Sequence, residues 1–128
     1  MTDILSDAIN AIRMAKKTGK QFCVIRPISK LLINILEIMQ KNGYINKYEI
    51  ISDSKGGVVK VELNQSLNDC KTIRPRISVR VKDLQKYDKR FLPALNFGIL
   101  VLSTSKGIMT SVDARKANVG GRLLLYVY

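Results

Sequence analysis

The chain has 128 residues, 46% of them hydrophobic, which suits one compact unit or two small packed ones and excludes a disordered tail protein. Lys and Arg number 22 against 10 Asp and Glu, a formal charge of +12 that repels itself and attracts polyanions, nucleic acid first and an anionic membrane surface second. There is no histidine, so the usual general base near neutral pH is missing, and two isolated cysteines, Cys23 and Cys70, are too few ligands for a structural zinc site.

Thr2 or Asp3 can cap a first helix, in which Ile4, Leu5, Ala8, Ile9 and Ile12 make one apolar stripe ending near Thr18-Gly19. Residues 21–26 (Phe22, Cys23, Val24, Ile25 at their centre) read as a short buried strand that Pro27 terminates. Ser29 is a good N-cap for a second helix with Leu32, Ile35, Leu36 and Met39 on its buried face and Asn42-Gly43 as its stop. Residues 44–51 and 58–63 read as two strands joined through Ser54-Lys55-Gly56-Gly57.

The polar tract 64–72 is the expected domain boundary, giving an N-terminal α+β domain over 1–65 (two helices, three-stranded sheet) and a mainly β domain over 66–128. A strand over 73–82 is predicted by alternation, with Ile73, Ile77, Val79 and Val81 on one face and Arg74, Arg76, Ser78, Arg80 and Lys82 on the other. Residues 83–96 read as irregular or briefly helical, and 99–102 as a buried strand far too short to span a membrane. Thr110 caps a short helix with Asp113 as capping-box partner, and Gly120-Gly121 turns into a last strand over 122–128. No apolar run near the N-terminus suits a signal peptide, so a cytosolic chain with reduced thiols is expected.

The cations are unevenly placed. Between Asp7 and Glu37 stand Arg13, Lys16, Lys17, Lys20, Arg26 and Lys30 with no acid, and from Cys70 to Lys82 five cations with none. Mixed signs would serve solubility with less self-repulsion, so single-sign tracts point to phosphate. Lys30 opens the second helix, where the macrodipole disfavours a cation, and a phosphate at that end would resolve the conflict.

Ser103-Thr104-Ser105-Lys106-Gly107, between a strand and a capped helix, puts three hydroxyls, a lysine and a glycine within reach of one RNA surface, although an ordinary polar connection has the same composition. Ser103 and Lys106 also fit the S-x-x-K nucleophile pattern, but so do Ser52 and Lys55, and the partner motifs of an acyl-transfer enzyme are missing. Tyr87, within KYDKR, suits either stacking on an unpaired base or half-core packing, while Tyr126 and Tyr128 read as sheet packing. A stand-alone, nonspecific nucleic-acid chaperone is the remaining binding-class reading.

The tract FGILVLSTSKGIMT (97–110) followed by DARKANVGGRLLLYVY (113–128), with IRPISKLL (25–32) and NGYI (42–45) upstream, resembles the universal small-subunit ribosomal protein eight family over nearly the whole chain. GGR at 120–122, KRFLPALNFG (89–98) and CKTIRPR (70–76) resemble its archaeal/eukaryotic branch; Lys71 and Asn46-Lys47 depart from that branch and make the surface more basic. The resemblance implies an α+β fold of two subdomains packed through their sheets in α/β/β/α layers. It implies a non-enzymatic structural constituent of the small ribosomal subunit, a primary binder of the central domain of small-subunit ribosomal RNA that assists subunit assembly. The implied partners are that RNA and neighbouring small-subunit ribosomal proteins in the cytoplasm, with no membrane, cofactor, metal, small-molecule substrate or homo-oligomer. Ser103, Thr104, Ser105, Lys106 and Gly107 match the family's main RNA-contact loop, with Gly120, Gly121 and Arg122 beside it and Arg26, Ser29 and Lys30 contributed by the N-terminal domain. Arg74, Arg76 and Tyr87 join the expected interface on charge and composition.

Overall fold

The computed structural model describes residues 4–26, 29–51, 57–73, 77–93 and 98–128. The first-helix stripe forms α1 (Ile4–Lys17), burying Leu5, Ala8, Ile9, Ile12 and Ala15. Gly19, at φ +78, takes the left-handed conformation that lets Lys20 N donate to Ala15 O at 2.9 Å and close the helix. The capping positions Thr2 and Asp3, and Pro27, lie outside the described residues.

β1 (Phe22–Ile25) corrects the expectation of a short buried strand: Cys23 and Ile25 are buried, but Phe22 and Val24 are 41% and 61% exposed. The sheet order is β1-β3-β2, so β1 is an edge strand; α1 packs on one face and leaves the other to solvent. α2 (Lys30–Lys41) starts where Leu32 N donates to Ser29 Oγ at 3.1 Å, and its buried residues are the expected Leu32, Ile35, Leu36 and Met39. Asn42 caps its end and Gly43, at φ +81, turns the chain toward β2 (Ile45–Ile51), which pairs antiparallel with β3 (Val58–Leu63). Of their predicted turn, only Gly57 is among the described residues.

The chain divides into two units, Met1–Lys71 and Thr72–Tyr128. The tract after β3 is held more firmly than its polarity suggests. Leu67 and Cys70 are fully buried, Arg13 Nε lies 2.8 Å from Asp69 Oδ1, and Cys70 Sγ donates to Ile9 O at 3.7 Å. The first unit therefore keeps residues that polarity alone assigned to the second.

Both cysteines are free thiols. Burial, reinforced by the Asp69 carboxylate, pushes the Cys70 thiol up to about 12 from its ordinary 9.0. The unfolded thiol ionises near its ordinary value while the folded one holds its proton. Stability from this group is therefore complete below about pH 8 and falls above about pH 9, by about 1.4 kcal/mol per pH unit. Urea unfolding at about pH 7 and pH 10 should show that loss in the wild type and less of it in Cys70→Ala; equal losses in the two proteins would refute this account.

β4 (Cys70–Thr72) spans the division between the units and leads to Ile73, whose N donates to Leu124 O at 2.9 Å. β5 (Ser78–Val79), a 3-10 turn (Val81–Asp83), α3 (Leu84–Phe91), β6 (Ile99–Thr104), β7 (Gly107–Thr110), α4 (Ser111–Ala117) and β8 (Gly121–Val127) follow. The sheet order is β4-β8-β6-β7, with β5 also pairing β8. Leu84, Leu100, Leu102, Ala114 and Leu123 are fully buried at the centre of a core completed by Ile73 and Val79.

Two expectations need correction here. The predicted strand does not run on to 82: among the described residues β5 pairs with β8 through Ser78↔Arg122 and Val79↔Gly121, Leu123 N donates to Ile77 O at 2.9 Å, and Val81–Asp83 is already a 3-10 turn. Beyond Val79 the partner strand has run out, and Asp83 N turns back to donate to Arg80 O at 2.9 Å. Side-chain burial still alternates over 77–82, while Arg74, Pro75 and Arg76 lie outside the described residues. Second, Ser103–Gly107 is not a strand–helix connection. Ser103 and Thr104 belong to β6, and Gly107 begins β7, a strand that the polar composition concealed.

Candidate nucleic-acid interface

The serine-rich motif is the tip of a β-hairpin. Thr104 faces Gly107 across β6 and β7, leaving Ser105-Lys106 as a two-residue turn. Gly107 takes φ +114, a conformation open to glycine and strained for other residues. The Thr104 hydroxyl stabilises the turn: it accepts from Lys106 N at 3.1 Å and donates to Gly107 O at 2.8 Å. Its proton is thus committed within the hairpin, whereas Ser105 and Lys106 project from it, both exposed. Ser103 is half-buried in the strand.

Register assembles the rest of this end of the sheet. Arg122 lies opposite Ser103 on β6 and opposite Ser78 on β5, so Ser78, Arg122 and Ser103 form one cross-strand row. The next row is Val79, Gly121, Thr104 and Gly107. Three chain segments far apart in sequence (β5, the β6–β7 hairpin and β8) meet here, and Arg80, Lys106 and Arg122 are exposed on them. Ser78 and Arg80 were placed by sequence only on a polar strand face; their approach to the serine motif is a matter of pairing register, which composition does not carry.

Gly120 and Gly121 are there for space. A Cβ on Gly120 would strike Val79 O and sit 3.1 Å from Arg80 Cα, and one on Gly121 would strike Ser103 O and sit 2.9 Å from the Ser103 carbonyl carbon. The pair lets three strands close at the edge that displays the hairpin tip.

The remaining candidates are more dispersed. Ser29 Oγ acts as the α2 cap, Lys30 is exposed at the first helical position, and Arg26 is exposed after β1. Tyr87 is half-buried against the core, and its ring stacks on Phe91 at 6.4 Å; Phe91 continues to Tyr126 at 5.8 Å and Tyr126 to Tyr128 at 6.0 Å. The half-core alternative for Tyr87 therefore has direct geometric support. Arg13, counted by sequence in an acid-free tract, is paired with Asp69, 56 residues away.

The first unit's solvent-facing sheet surface differs in charge. Phe22 faces Glu62, Val24 faces Lys60, and Lys47 and Glu49 face Glu62 and Lys60 from the other side. Lys60 Nζ also sits 4.5 Å from the centre of the Phe22 ring. Two lysines and two glutamates balance there, so the excess charge lies elsewhere. Among the described residues no helix is long and apolar enough to cross a membrane, and no three potential metal ligands cluster.

The family model for Ribosomal protein S8 matches residues 3–128. The chain is 48% identical over 126 residues to the small ribosomal subunit protein uS8 of Archaeoglobus fulgidus, covering 98% of each chain. It is 45% identical to that of Thermoplasma acidophilum over 126 residues, again 98% of each. It is 46% identical to uS8A of Saccharomyces cerevisiae over 127 residues, 99% of this chain and 98% of the yeast one.

Proposed function

The chain belongs to the Ribosomal protein S8 family, and from that premise we propose that it is a structural constituent of the small ribosomal subunit and a primary binder of the central domain of its RNA. It recognises the shape of a folded RNA helix, assists that domain's folding, and works among neighbouring small-subunit proteins in the cytoplasm without catalysing a reaction. The observation that carries this reading is the hairpin tip. Its Thr104 hydroxyl is turned inward to preorganise the turn, while Ser105 and Lys106 project beside Arg122 and Arg80 at one sheet edge. Hydroxyls and backbone N–H groups there can bond to 2′-hydroxyls and base edges, and the cations to phosphates.

The deciding experiment is competition binding at fixed salt between a small-subunit RNA fragment containing the central-domain helices and random RNA of equal length. Strong preference for the fragment is expected; equal affinity would overturn the proposal in favour of nonspecific binding. Ser105→Ala should weaken binding to that fragment by about 1–2 kcal/mol, roughly five- to thirtyfold, with the unfolding midpoint unchanged because the side chain is exposed. An unaltered titration would remove Ser105 from the contact.

A further inference from the structure

We infer that the outward face of α3 is a second phosphate-binding surface, which grips the sugar–phosphate backbone of RNA beyond the part that the serine hairpin reads. The inference rests on the proposed RNA-binding role. Lys82, Gln85, Lys86, Lys89 and Arg90 line one shallow concave patch, and among the described residues no acid lines it with them. All five are exposed. The acid inside this helix, Asp88, is turned the other way: it accepts from Ser111 Oγ at 2.7 Å and faces Arg115 Nη2 at 3.9 Å. Leu84, Tyr87 and Phe91 make the inward face on the core. The arrangement thus removes the helix's own counter-charge from the surface and leaves four cations together.

Like charges three and four residues apart on a helix repel each other. The helix dipole accounts for Lys89 and Arg90, which lie in the last turn where cations are favoured, and Arg90 is also held 5.4 Å from the Phe91 ring. It does not account for Lys82, which precedes the helix, or for Lys86 in its middle. A polyanion over the patch would relieve the repulsion among all four.

Position connects the patch to the hairpin. The chain enters the 3-10 turn against Gly120, where Arg80 Cα is 3.1 Å from the place a Cβ would occupy, at the sheet end that carries the tip. It leaves α3 at Phe91, stacked on Tyr126 toward the other end of β8. Lys82, Lys86 and Lys89, which all line the patch, lie on the stretch of chain between those two ends and form a track of about 12 Å, two turns of helix. Such a track suits a phosphate backbone, which presents charge at regular intervals whatever its bases.

The test compares Lys82→Ala/Lys86→Ala/Lys89→Ala with Lys47→Ala/Lys60→Ala, whose lysines lie on the charge-balanced sheet face of the first unit. Binding to the ribosomal RNA fragment and to random RNA is measured across a salt series. The triple variant should lower the slope of log affinity against log salt by about 2 to 3, near one for each phosphate that is no longer neutralised. It should weaken both RNAs by the same factor, and the double variant should leave the slope in place. A slope unchanged in the triple variant, or a loss confined to the ribosomal fragment, would overturn the inference. If the slope stays while Ser105→Ala still weakens binding, the α3 surface falls and the ribosomal reading stands. If the slope drops but the chain never prefers the ribosomal fragment, the α3 surface stands and the ribosomal reading falls.

Discussion

Gly121→Ala is expected to destabilise the second unit by about 3 kcal/mol, the upper part of the range for forcing extra volume into a packed region, and to abolish tight RNA binding. The added methyl would strike Ser103 O, with the Ser103 carbonyl carbon at 2.9 Å and Thr104 Cγ2 at 3.1 Å. Two of these three neighbours are backbone atoms of β6 and cannot rotate away. Relief requires β8 and β6 to separate where Ser103 pairs with Arg122 and Thr104 with Gly121. That is the edge displaying Ser105 and Lys106, so stability and binding should fall together, with the unfolding midpoint lower by roughly 10 °C. A Gly121→Ala protein with a wild-type midpoint would show that the strands do not approach this closely.

Leu102→Ala should cost about 3–4 kcal/mol, as for other fully buried leucines cut back to a methyl. Leu102 has no exposed surface and sits on β6 between Met109 on β7 and Leu123 on β8, two residues before the tip pair begins its turn. The cavity would lie directly beneath the hairpin, so affinity for the ribosomal fragment should also weaken although the residue touches no RNA. Leu102→Met, which nearly conserves volume, should cost less than about 1.5 kcal/mol. Urea unfolding of both variants checks this; an alanine variant losing under about 1 kcal/mol would place Leu102 outside the core.

Where the residues of an element are local in effect, sequence was a good guide. The α2 cap at Ser29, its four buried positions and its stop at Asn42-Gly43 all follow from helical period and capping chemistry within a short stretch of chain. Thr110 likewise accepts from Asp113 N at 3.3 Å as the capping pattern requires. Strand limits were less legible, because a strand exists only as far as its partner does. Alternation over 77–82 was real in burial, yet β5 reaches the start of β8 at Val79↔Gly121 and the chain turned at Arg80. The same cause hid β7: its residues Gly107–Thr110 look like the end of a loop until β6 is placed beside them.

Charge followed the same division. The composition determined a formal charge of +12, which attracts polyanions, and the family motifs in 97–110 and 113–128 determined its kinship. Only the tertiary structure decided which cations remain available. Arg13 is taken by Asp69 from the far end of the first unit, the lysines of one sheet face are balanced by glutamates, and Asp88 turns inward so that α3 keeps its positive face. It also decided that Gly120 and Gly121 serve strand closure and that one of the three hydroxyls holds the turn. The physical reason is range. Helical period, caps and net charge are sums over neighbours in the chain, whereas pairing register, close backbone approach and charge neutralisation depend on residues brought together by folding.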